Sequence, residues 1–470
     1  MAANKRDNEV KIGYMPLAHD TYWRFFPEHK EPALSAARRY KEYLSQFGTV
    51  YETGSLIDSP ARSREARLHF QAVDVDVVVL ATVTYSTPDD VVLDLKRFSR
   101  PVIVWNTQVS SMIPDDMNFD QWMLEHGVTG VPGLTNLLER ESLPYFLISG
   151  HYGSESVAQA FSTVLKAVQA FKSVWGSRIG VFGHLYPGMI DFGYDPALMY
   201  TTFGVCTMPI LDSTVVAAYE AVKAEDAAAM EEDLRRKYNV ASDFHAEEFS
   251  RSVRLALAMK RVVEEKRLDA VSVYCQSMWQ QPQIGVVSCL GNSLLAQAGI
   301  FCSCEGDVPT ALSGMILNSL SGQAVFTEIW CNDFANDCFM MGHSGQMNLG
   351  LFERDPESVR LTRHPWWVGC HGRGASLQVT MPCGKATMLS LNPTRDGHWR
   401  MIVTVGEITD RAPVPLGAPN FFMKMQKPIP EFLESLGRMG SAHHFALAYG
   451  DCTPHLMALA RMLGVEYECV

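Results

Sequence analysis

The sequence predicts an α/β fold with two doubly wound parallel-sheet domains followed by a C-terminal antiparallel β-barrel-like domain. The first third of the chain alternates short apolar strands with helical segments, and a second series of this kind begins near residue 178. After about residue 319, Gly, Pro and Thr become frequent and short alternating runs follow one another. Strands separated by helices form parallel sheets covered on both faces, whereas closely spaced alternating strands favour an antiparallel barrel or sandwich.

A chain of 470 residues is too long for one core, and we expect domains at residues 1–174, 175–318 and 319–470. In the first domain, residues 74–81 (DVDVVVLA) form a valine-rich, nearly continuous apolar run, as in a strand buried on both faces. The other elements predicted there are strands at residues 11–15, 101–105 and 145–148 and a helix over residues 32–46.

The central domain begins with a strand predicted at residues 178–183. It continues with periodic helices at 224–238 and 246–266, a strand at 269–275, and a helix at 286–298 that Gly299 ends. In the last domain, the predicted strands are 376–381, 387–391 and 399–405, and the predicted helices are 429–439 and 454–463.

Charge and composition exclude two classes of partner. With 40 basic and 52 acidic residues the formal charge is −12, and no run of Lys and Arg offsets it, so we expect no nucleic-acid partner. No apolar stretch reaches the ~20 residues of a spanning helix, and the polar start is unlike a signal peptide, so we expect no membrane partner. The eleven cysteines have irregular spacings, which favours free thiols and a cytoplasmic protein.

Four residues form a candidate divalent-metal site: Glu305, Glu328, His343 and one of the pair His443–His444. Two carboxylates and two imidazoles suit Mn²⁺ or a similar borderline cation and leave positions open for a substrate. Because carboxylates also move protons, the same set could hold a metal and perform acid–base chemistry. P-loop, GxGxxG and GxSxG motifs are absent, so no competing template accounts for the chain.

Each carboxylate has a structural alternative. Glu305 follows a short predicted strand, where α/β enzymes place catalytic groups, but it could instead cap the helix that begins near Pro309. Asp307 suits that cap better, which leaves Glu305 without a structural duty. Glu328 lies in an apolar strand-like run, where a charge is costly unless it is paired or binds a metal, although an edge strand would leave it in water.

The histidines are weighed in the same way. His343 follows a predicted Met-Met-Gly turn, and a lone loop histidine is more often exposed. Of His443 and His444, which lie between a helix and an apolar run, one must face inward. No compact motif such as HExxH is present, so only the combination indicates a metal site.

The order of these residues is similar to that of a known family. Glu305-Gly306-Asp307, Glu328, Gly342-His343 and the segment from Gly440 to His444 together resemble the L-arabinose isomerase family, within the wider arabinose/fucose isomerase group. Further similar segments are Asn106-Thr107-Gln108, Met117-Asn118-Phe119, His126-Gly127, residues 406–410 and residues 427–430.

The resemblance implies roles for particular residues. Glu305, Glu328, His343 and His444 would bind Mn²⁺, or Co²⁺ or Mg²⁺, and the two glutamates would also relay a proton. His126 would reach the pocket of a neighbouring subunit in a trimer or hexamer, although a helix-surface histidine is the ordinary interpretation of it. The residues that would bind the sugar substrate are His126, Gln108, His19 and His443.

Three segments depart from the family pattern. Ile329-Trp330 replaces an acidic–tyrosine pair, Ser344-Gly345-Gln346 replaces Met-Leu-Glu, and residues 16–23 lack a Gly-Ser-Gln loop. These positions line or border the substrate pocket in the family, so the substrate is open to another pentose, a deoxyhexose or a modified sugar.

We therefore predict a metal-dependent aldose–ketose isomerase that works on an open-chain sugar through a cis-enediol or enediolate. A metal-assisted epimerase or lyase would use the same intermediate and would exchange C2–H without forming ketose. A non-catalytic sugar-binding protein is the other alternative, but a pure binder has little need for two carboxylates at a metal.

Overall fold

The computed structural model describes residues 9–242, 244–364 and 373–470. The chain separates into two compact units, of which the first ends at Lys172 and the second begins at Ser173. We keep the further division near residue 318 as a proposal. Within the described residues, no helix is long and apolar enough to cross a membrane.

The first unit is a five-stranded parallel sheet in the order β2-β1-β3-β4-β5, and β3 is buried along its whole length. The reversal of strand order beside β1 makes this a doubly wound sheet. Its strands are β1 (Lys11–Leu17), β2 (Thr49–Tyr51), β3 (Val77–Thr82), β4 (Val102–Asn106) and β5 (Tyr145–Ser149). Its helices are α1 (Asp20–Phe25), α2 (Lys30–Leu44), α3 (Pro60–Val73), α4 (Val92–Phe98), α5 (Phe119–Glu125), α6 (Val131–Arg140) and α7 (Glu155–Val174).

The second unit opens with another parallel sheet, in the order β10-β9-β6-β7. The strands of this part are β6 (Arg178–Phe182), β7 (Cys206–Ile210), β8 (Asn239–Val240), β9 (Ala270–Val273) and β10 (Phe301–Cys304). Its helices are α8 (Pro196–Phe203), α9 (Asp212–Glu220), α10 (Ala224–Lys237), α11 (Ala246–Lys266), α12 (Cys275–Gln280), α13 (Cys289–Gln297) and α14 (Val308–Ser321). Strand β8 belongs to a small separate sheet with two later strands.

The unit ends in an antiparallel barrel. Its elements are β11 (Ala324–Asp333), β12 (Cys338–Gly342), β13 (Arg360–Arg363), β14 (Ala375–Gln378), β15 (Gly384–Pro393), β16 (Trp399–Ile408), β17 (Asn420–Met425), α15 (Ile429–Met439), β18 (His444–Tyr449), α16 (Thr453–Leu463) and β19 (Glu466–Cys469). Strands β15-β18-β11-β12-β17-β16 pair in that order, and pairing of β15 with β16 closes the barrel. The predicted fold class is therefore confirmed.

Two local predictions were wrong. The residues predicted as a Met-Met-Gly turn are the end of strand β12, because Met340 and Met341 pair with β11 on one side and β17 on the other. The helix predicted from residue 286 begins only at Cys289, since residues 284–287 are buried without being helical. In both places tertiary burial of apolar side chains, rather than local period, decided the backbone.

Helix α14 packs unusually close to strand β10. A Cβ atom built on Gly314 would lie 2.2 Å from a ring carbon of the buried Phe301. Helix interiors disfavour glycine by about 1 kcal/mol relative to alanine, so this residue is retained for close packing. Gly314 therefore sets the position of the helix that begins directly after Asp307.

We predict that Gly314→Ala lowers stability by roughly 1–3 kcal/mol, because the added methyl group must displace Phe301. The measurement is the thermal unfolding midpoint of the full chain. Gly437→Ala is the matched control, because that glycine lies within α15 with no atom within 4 Å of the added Cβ, and it should be neutral or stabilising. An unchanged midpoint for Gly314→Ala would contradict the close-packing argument.

Candidate metal and catalytic centre

Sheet register brings three of the predicted residues together. Glu328 on β11 lies opposite His444 on β18 and opposite Gly342 on β12, which directly precedes His343. Because β11 is paired on both sides, the alternative of an edge strand for Glu328 is wrong. Glu305 joins this group from the carboxyl end of β10, where its Oε2 lies 3.1 Å from Nε2 of His444.

His444 is completely buried and held through its other nitrogen. Its Nδ1 lies 3.0 Å from Oδ2 of the equally buried Asp307, to which it donates a hydrogen bond. The second oxygen of Asp307 accepts the backbone N–H of Thr310 at 2.8 Å and caps α14. This pairing fixes the tautomer and directs Nε2 toward Glu305 and toward Oε2 of Glu328, at 3.9 Å.

Glu305 takes its position from an irregular backbone. Its φ of +62° lies in the left-handed region, which few non-glycine residues adopt, and Gly306 follows at +82°. The Glu305 N–H donates to the carbonyl of Val273, and its own carbonyl accepts from Tyr186, each at 2.8 Å. Any side chain on Gly306 would meet the His184 carbonyl at 2.5 Å. The surroundings therefore hold a conformation of the kind that concentrates at functional sites.

The remaining two predicted ligands are set by the barrel. The Trp330 indole N–H donates to Oε1 of Glu328 at 2.8 Å, and the Glu328 side chain is 26% exposed. His343 is only 3% exposed, and its ring packs edge-on against Phe326 with centroids 4.6 Å apart. The alternative that His343 is an exposed loop residue is therefore wrong.

The buried imidazole nitrogens fit a cation. Nδ1 of His343 and Nε2 of His444 have no aligned hydrogen-bond partner among the described residues, although Glu305 contacts the latter as a charged neighbour. Unpaired buried nitrogen is costly unless a ligand satisfies it. Imidazoles and the carboxylates of Glu305 and Glu328 are donor types that suit a divalent metal ion, and Oε2 of the two carboxylates lies 3.1 and 3.9 Å from Nε2 of His444.

His443 is a competing ligand. Within the described part of the chain, Glu305, His443 and His444 present ligand atoms that all lie within 4.8 Å of one another. The His443 side chain, however, is 40% exposed and already bound, because its Nδ1 lies 2.7 Å from Oδ2 of Asp191. We favour His444 as the ligand, since it is buried and a carboxylate orients it in the manner of metal-ligating histidines.

The two buried histidines, His343 and His444, differ in charge. Burial lowers the pKa of His343 and outweighs the carboxylates of Glu328 and Glu305, so this imidazole is neutral, the form that binds metals. Burial also opposes protonation of His444, but hydrogen bonds to Asp307 and Glu305 raise its pKa to about 10. Burial raises the pKa of Glu305, yet its hydrogen bond with His444 and the nearby histidines lower it further, so Glu305 is ionised.

His126 lies in the first unit and is only 9% exposed, so the interpretation as a helix-surface histidine is wrong. Its Nδ1 donates to the carbonyl of Trp122 at 3.1 Å, which leaves Nε2 to accept from the Tyr22 hydroxyl at 2.9 Å. The ring stacks on Trp122 at 4.2 Å. Burial lowers the pKa of His126, consistent with a neutral ring.

The other two residues predicted to bind substrate in this unit differ in their surroundings. His19 lies 5.9 Å from Tyr22 and 6.0 Å from Tyr85 between ring centroids, so it shares an aromatic cluster with His126. Gln108 instead donates its side-chain amide to the carbonyl of Ser110 at 2.9 Å. The structure thus brings together His19 and His126, whereas Gln108 is engaged by its own loop.

Sequence reasoning missed the roles of three residues at the centre. Asp307 was identified as a helix cap but not as the partner of His444, although its spacing of two from Glu305 was a usable signal. Trp330 lies two residues from Glu328 on one strand, and alternation alone places the two side chains on the same face. Asp191, the partner of His443, comes from a distant turn that no sequence pattern linked to the site.

Several known proteins are similar to this chain over most of its length. No family model matches the chain. The chain is 22% identical over 465 residues to a sulfoquinovose isomerase of Alkalicoccus urumqiensis, with 97% of this chain and 98% of that protein covered. It is 24% identical to a sulfoquinovose isomerase of Priestia aryabhattai, with coverages of 83% and 85%. It is 22% identical to an L-arabinose isomerase of Bifidobacterium animalis subsp. lactis, with coverages of 82% and 78%.

These likenesses confirm the resemblance that the sequence motifs carry, and a divergent member of the arabinose/fucose isomerase group is consistent with them. They also confirm the prediction of an enzyme of the sugar-isomerase class, because the curated relatives are named as such.

We predict that in EDTA the free energy of unfolding falls as the pH rises from about 6.5 to about 10. Because the pKa of His444 is raised, its protonation stabilises the fold fully below this range, and this contribution is lost progressively across the range. This one group contributes a slope of up to about 1.4 kcal/mol per pH unit. Asp307→Asn keeps a cap oxygen but removes the carboxylate, so it should reduce the slope and lower the His444 titration midpoint followed by NMR.

The matched control for this experiment is Asp191→Asn, which alters a carboxylate paired with a much more exposed histidine. It should leave the slope between pH 6.5 and 10 nearly unchanged, since exposed pairs contribute little. Equal slopes for the wild type and Asp307→Asn would show that Asp307 does not control the protonation of His444.

Proposed function

We propose that this protein is a metal-dependent aldose–ketose isomerase that acts on an open-chain sugar through a cis-enediol or enediolate intermediate. The observation that carries the proposal is the buried imidazole of His444, whose Nε2 lies 3.1 Å from Oε2 of Glu305 and 3.9 Å from Oε2 of Glu328, with the buried ring of His343 centred 5.7 Å from its own. The sequence similarity to proteins named as sugar isomerases supports the same class of reaction.

The ligands that we propose are Glu305, Glu328, His343 and His444, with Mn²⁺ as the metal and Co²⁺ or Mg²⁺ as alternatives. When bound, such an ion supplies Lewis-acid stabilisation of negative charge that develops on the sugar oxygens. His343 is suited to this role because it is neutral and buried, and His444 because Asp307 orients it. Binding of a cation would displace the proton from His444.

The two glutamates are the proposed proton-transfer groups. Glu305 is ionised and only 12% exposed, so its carboxylate is in the form that can accept the proton from C2. Trp330 holds Oε1 of Glu328. We propose that Oε2, an oxygen with two lone pairs, both faces the metal and handles protons at the sugar oxygens. The proton returned to C1 then completes the change from aldose to ketose.

The substrate that we favour is a modified hexose of the sulfoquinovose type. Relatives named as sulfoquinovose isomerases match up to 98% of this chain, whereas relatives named as L-arabinose isomerases match 82%. The departures from the family pattern at residues 16–23, 329–330 and 344–346 agree with a substrate other than L-arabinose. We propose His126, Gln108, His19 and His443 as residues that bind the sugar.

We predict that the protein exchanges the C2 proton of an aldose in D₂O and forms the ketose, that Mn²⁺ restores both after EDTA treatment, and that Glu305→Gln slows them by about 10²–10⁴-fold. The measurement is ¹H NMR with sulfoquinovose, L-arabinose, other pentoses and deoxyhexoses. Glu434→Gln is the matched control, because Glu434 forms only an exposed i,i+4 pair with Arg438, and it should retain full activity.

The other outcomes separate the alternatives. Exchange without ketose would favour an epimerase or lyase. Binding of a sugar without any exchange, and with no effect of Glu305→Gln, would favour a non-catalytic sugar-binding protein and would overturn the proposal.

We also propose a homo-oligomer, a trimer or hexamer, in the cytoplasm. The first unit exposes several large apolar side chains on adjacent segments, which is common at interaction surfaces. Phe119 and Trp122 lie on α5 with rings 5.8 Å apart, and the segment that carries Met112 and Ile113 is tied to α5 by the bond of Ser110 to Glu125. The described cysteines are not joined in disulfides, which agrees with a reducing compartment.

We predict a solution mass three or six times that of one subunit by light scattering, and dissociation by Ile113→Asp, since a charge is costly in an apolar interface. The control is Leu68→Asp, which alters an exposed leucine on α3. A wild-type protein with the mass of one subunit would contradict the proposed assembly.

A further inference from the structure

A tryptophan holds one oxygen of Glu328. The indole Nε1–H of Trp330 donates to Oε1 at 2.8 Å, while Oε2 of the same carboxylate lies 3.9 Å from Nε2 of His444. We propose that Trp330 is a positioning residue, which presents Oε2 of Glu328 to a divalent cation. This inference rests on the proposed function, because it assumes that Glu328 is a metal ligand.

The backbone at Trp330 is shaped for this contact. Ile329 pairs with Met341, and Cys331 pairs with the next residue, Met340, so the strand carries one extra residue between them. That residue is Trp330, which therefore lies in a β-bulge. Bulges re-aim side chains and are enriched beside active sites, so the indole direction is a built feature of the strand.

The opposite strand leaves room for the indole ring. A Cβ atom on Gly342 would lie 2.9 Å from two ring carbons of Trp330 and 2.5 Å from the carbonyl of Pro419. Glycine is thus required directly opposite Glu328. The ring also packs against a small buried cluster of Cys338, Met340 and Phe422. Because packing fixes the ring, the direction of its N–H bond is fixed as well.

The chemistry of the indole suits this role. Its N–H donates and cannot accept, so a carboxylate oxygen is a suitable partner for it. A hydrogen bond to a charged group is stronger than one between neutral groups and restricts the rotation of the side chain. A carboxylate with one oxygen fixed loses less conformational freedom when the other binds a cation.

The first test compares Mn²⁺ binding by electron paramagnetic resonance. Trp330→Phe keeps an aromatic ring but removes the N–H, and we expect its affinity for Mn²⁺ to fall about tenfold, equivalent to about 1.4 kcal/mol. Trp399→Phe is the matched control, because Trp399 is buried with an N–H that has no partner among the described residues. It should bind Mn²⁺ as tightly as the wild type.

The second test does not depend on a metal. With ¹⁵N-tryptophan labelling, the indole resonance of Trp330 should move in Glu328→Ala, while that of Trp399 should not. A Trp330 resonance that stays in place, or equal Mn²⁺ affinities of Trp330→Phe and wild type, would overturn the positioning role and leave the proposed function intact. A wild-type protein that binds none of Mn²⁺, Co²⁺ and Mg²⁺ would overturn the proposed function, and this inference with it.

Discussion

The candidate centre depends on the hydrogen bond between His444 and Asp307. Asp307 caps the start of α14, which follows the parallel sheet, and His444 begins strand β18 of the barrel. Their hydrogen bond therefore joins the parallel-sheet part and the barrel of the second unit. Both side chains are fully buried, where a charge-assisted bond is strong and an unpaired partner would be costly. A single carboxylate thus caps the helix and orients the imidazole, and the start of α14 determines where Nε2 points.

The same bond governs the charge of the centre. Asp307 and Glu305 together keep His444 protonated, whereas His343, which lacks such a pairing, is neutral. A proton therefore occupies the space between carboxylates that a divalent cation would fill. Uptake of a metal and loss of that proton are coupled, since an imidazole must be deprotonated at the nitrogen that ligates. The charges of these groups therefore stabilise the centre in addition to its packing.

Irregular backbone accompanies each carboxylate. Glu305 has a left-handed conformation that two backbone hydrogen bonds maintain, and Glu328 lies two residues before a β-bulge. In a regular strand these side chains would stand roughly perpendicular to the sheet. The irregular backbone allows other directions. Departures from regular geometry at functional residues are expected where the site, rather than stability, constrains the backbone.

The sequence by itself determined the fold class, and it singled out the residues that we propose for the site. Long helical periods, such as that of α11 and of α15, depend only on local spacing, and their predicted bounds agree with the structure. The carboxylates and histidines were recognisable because a charge in an apolar run, or a strand-end acid without a cap role, is unusual. The His443–His444 pair was resolved only in part, since sequence requires that one faces inward but not which one.

The tertiary structure decided everything that depends on contacts between distant segments. Asp307, the partner of His444, lies 137 residues away in the chain, and Asp191, the partner of His443, lies 252 residues away. Both distances are beyond the reach of any local pattern. The segment predicted as a turn is strand β12, because hydrogen bonds to β11 and β17 satisfy the backbone of that strand. His343, which follows β12 directly, is buried as a result. Protonation was also undetermined by sequence, since burial and neighbouring charge act in opposite directions and only their geometry decides which prevails.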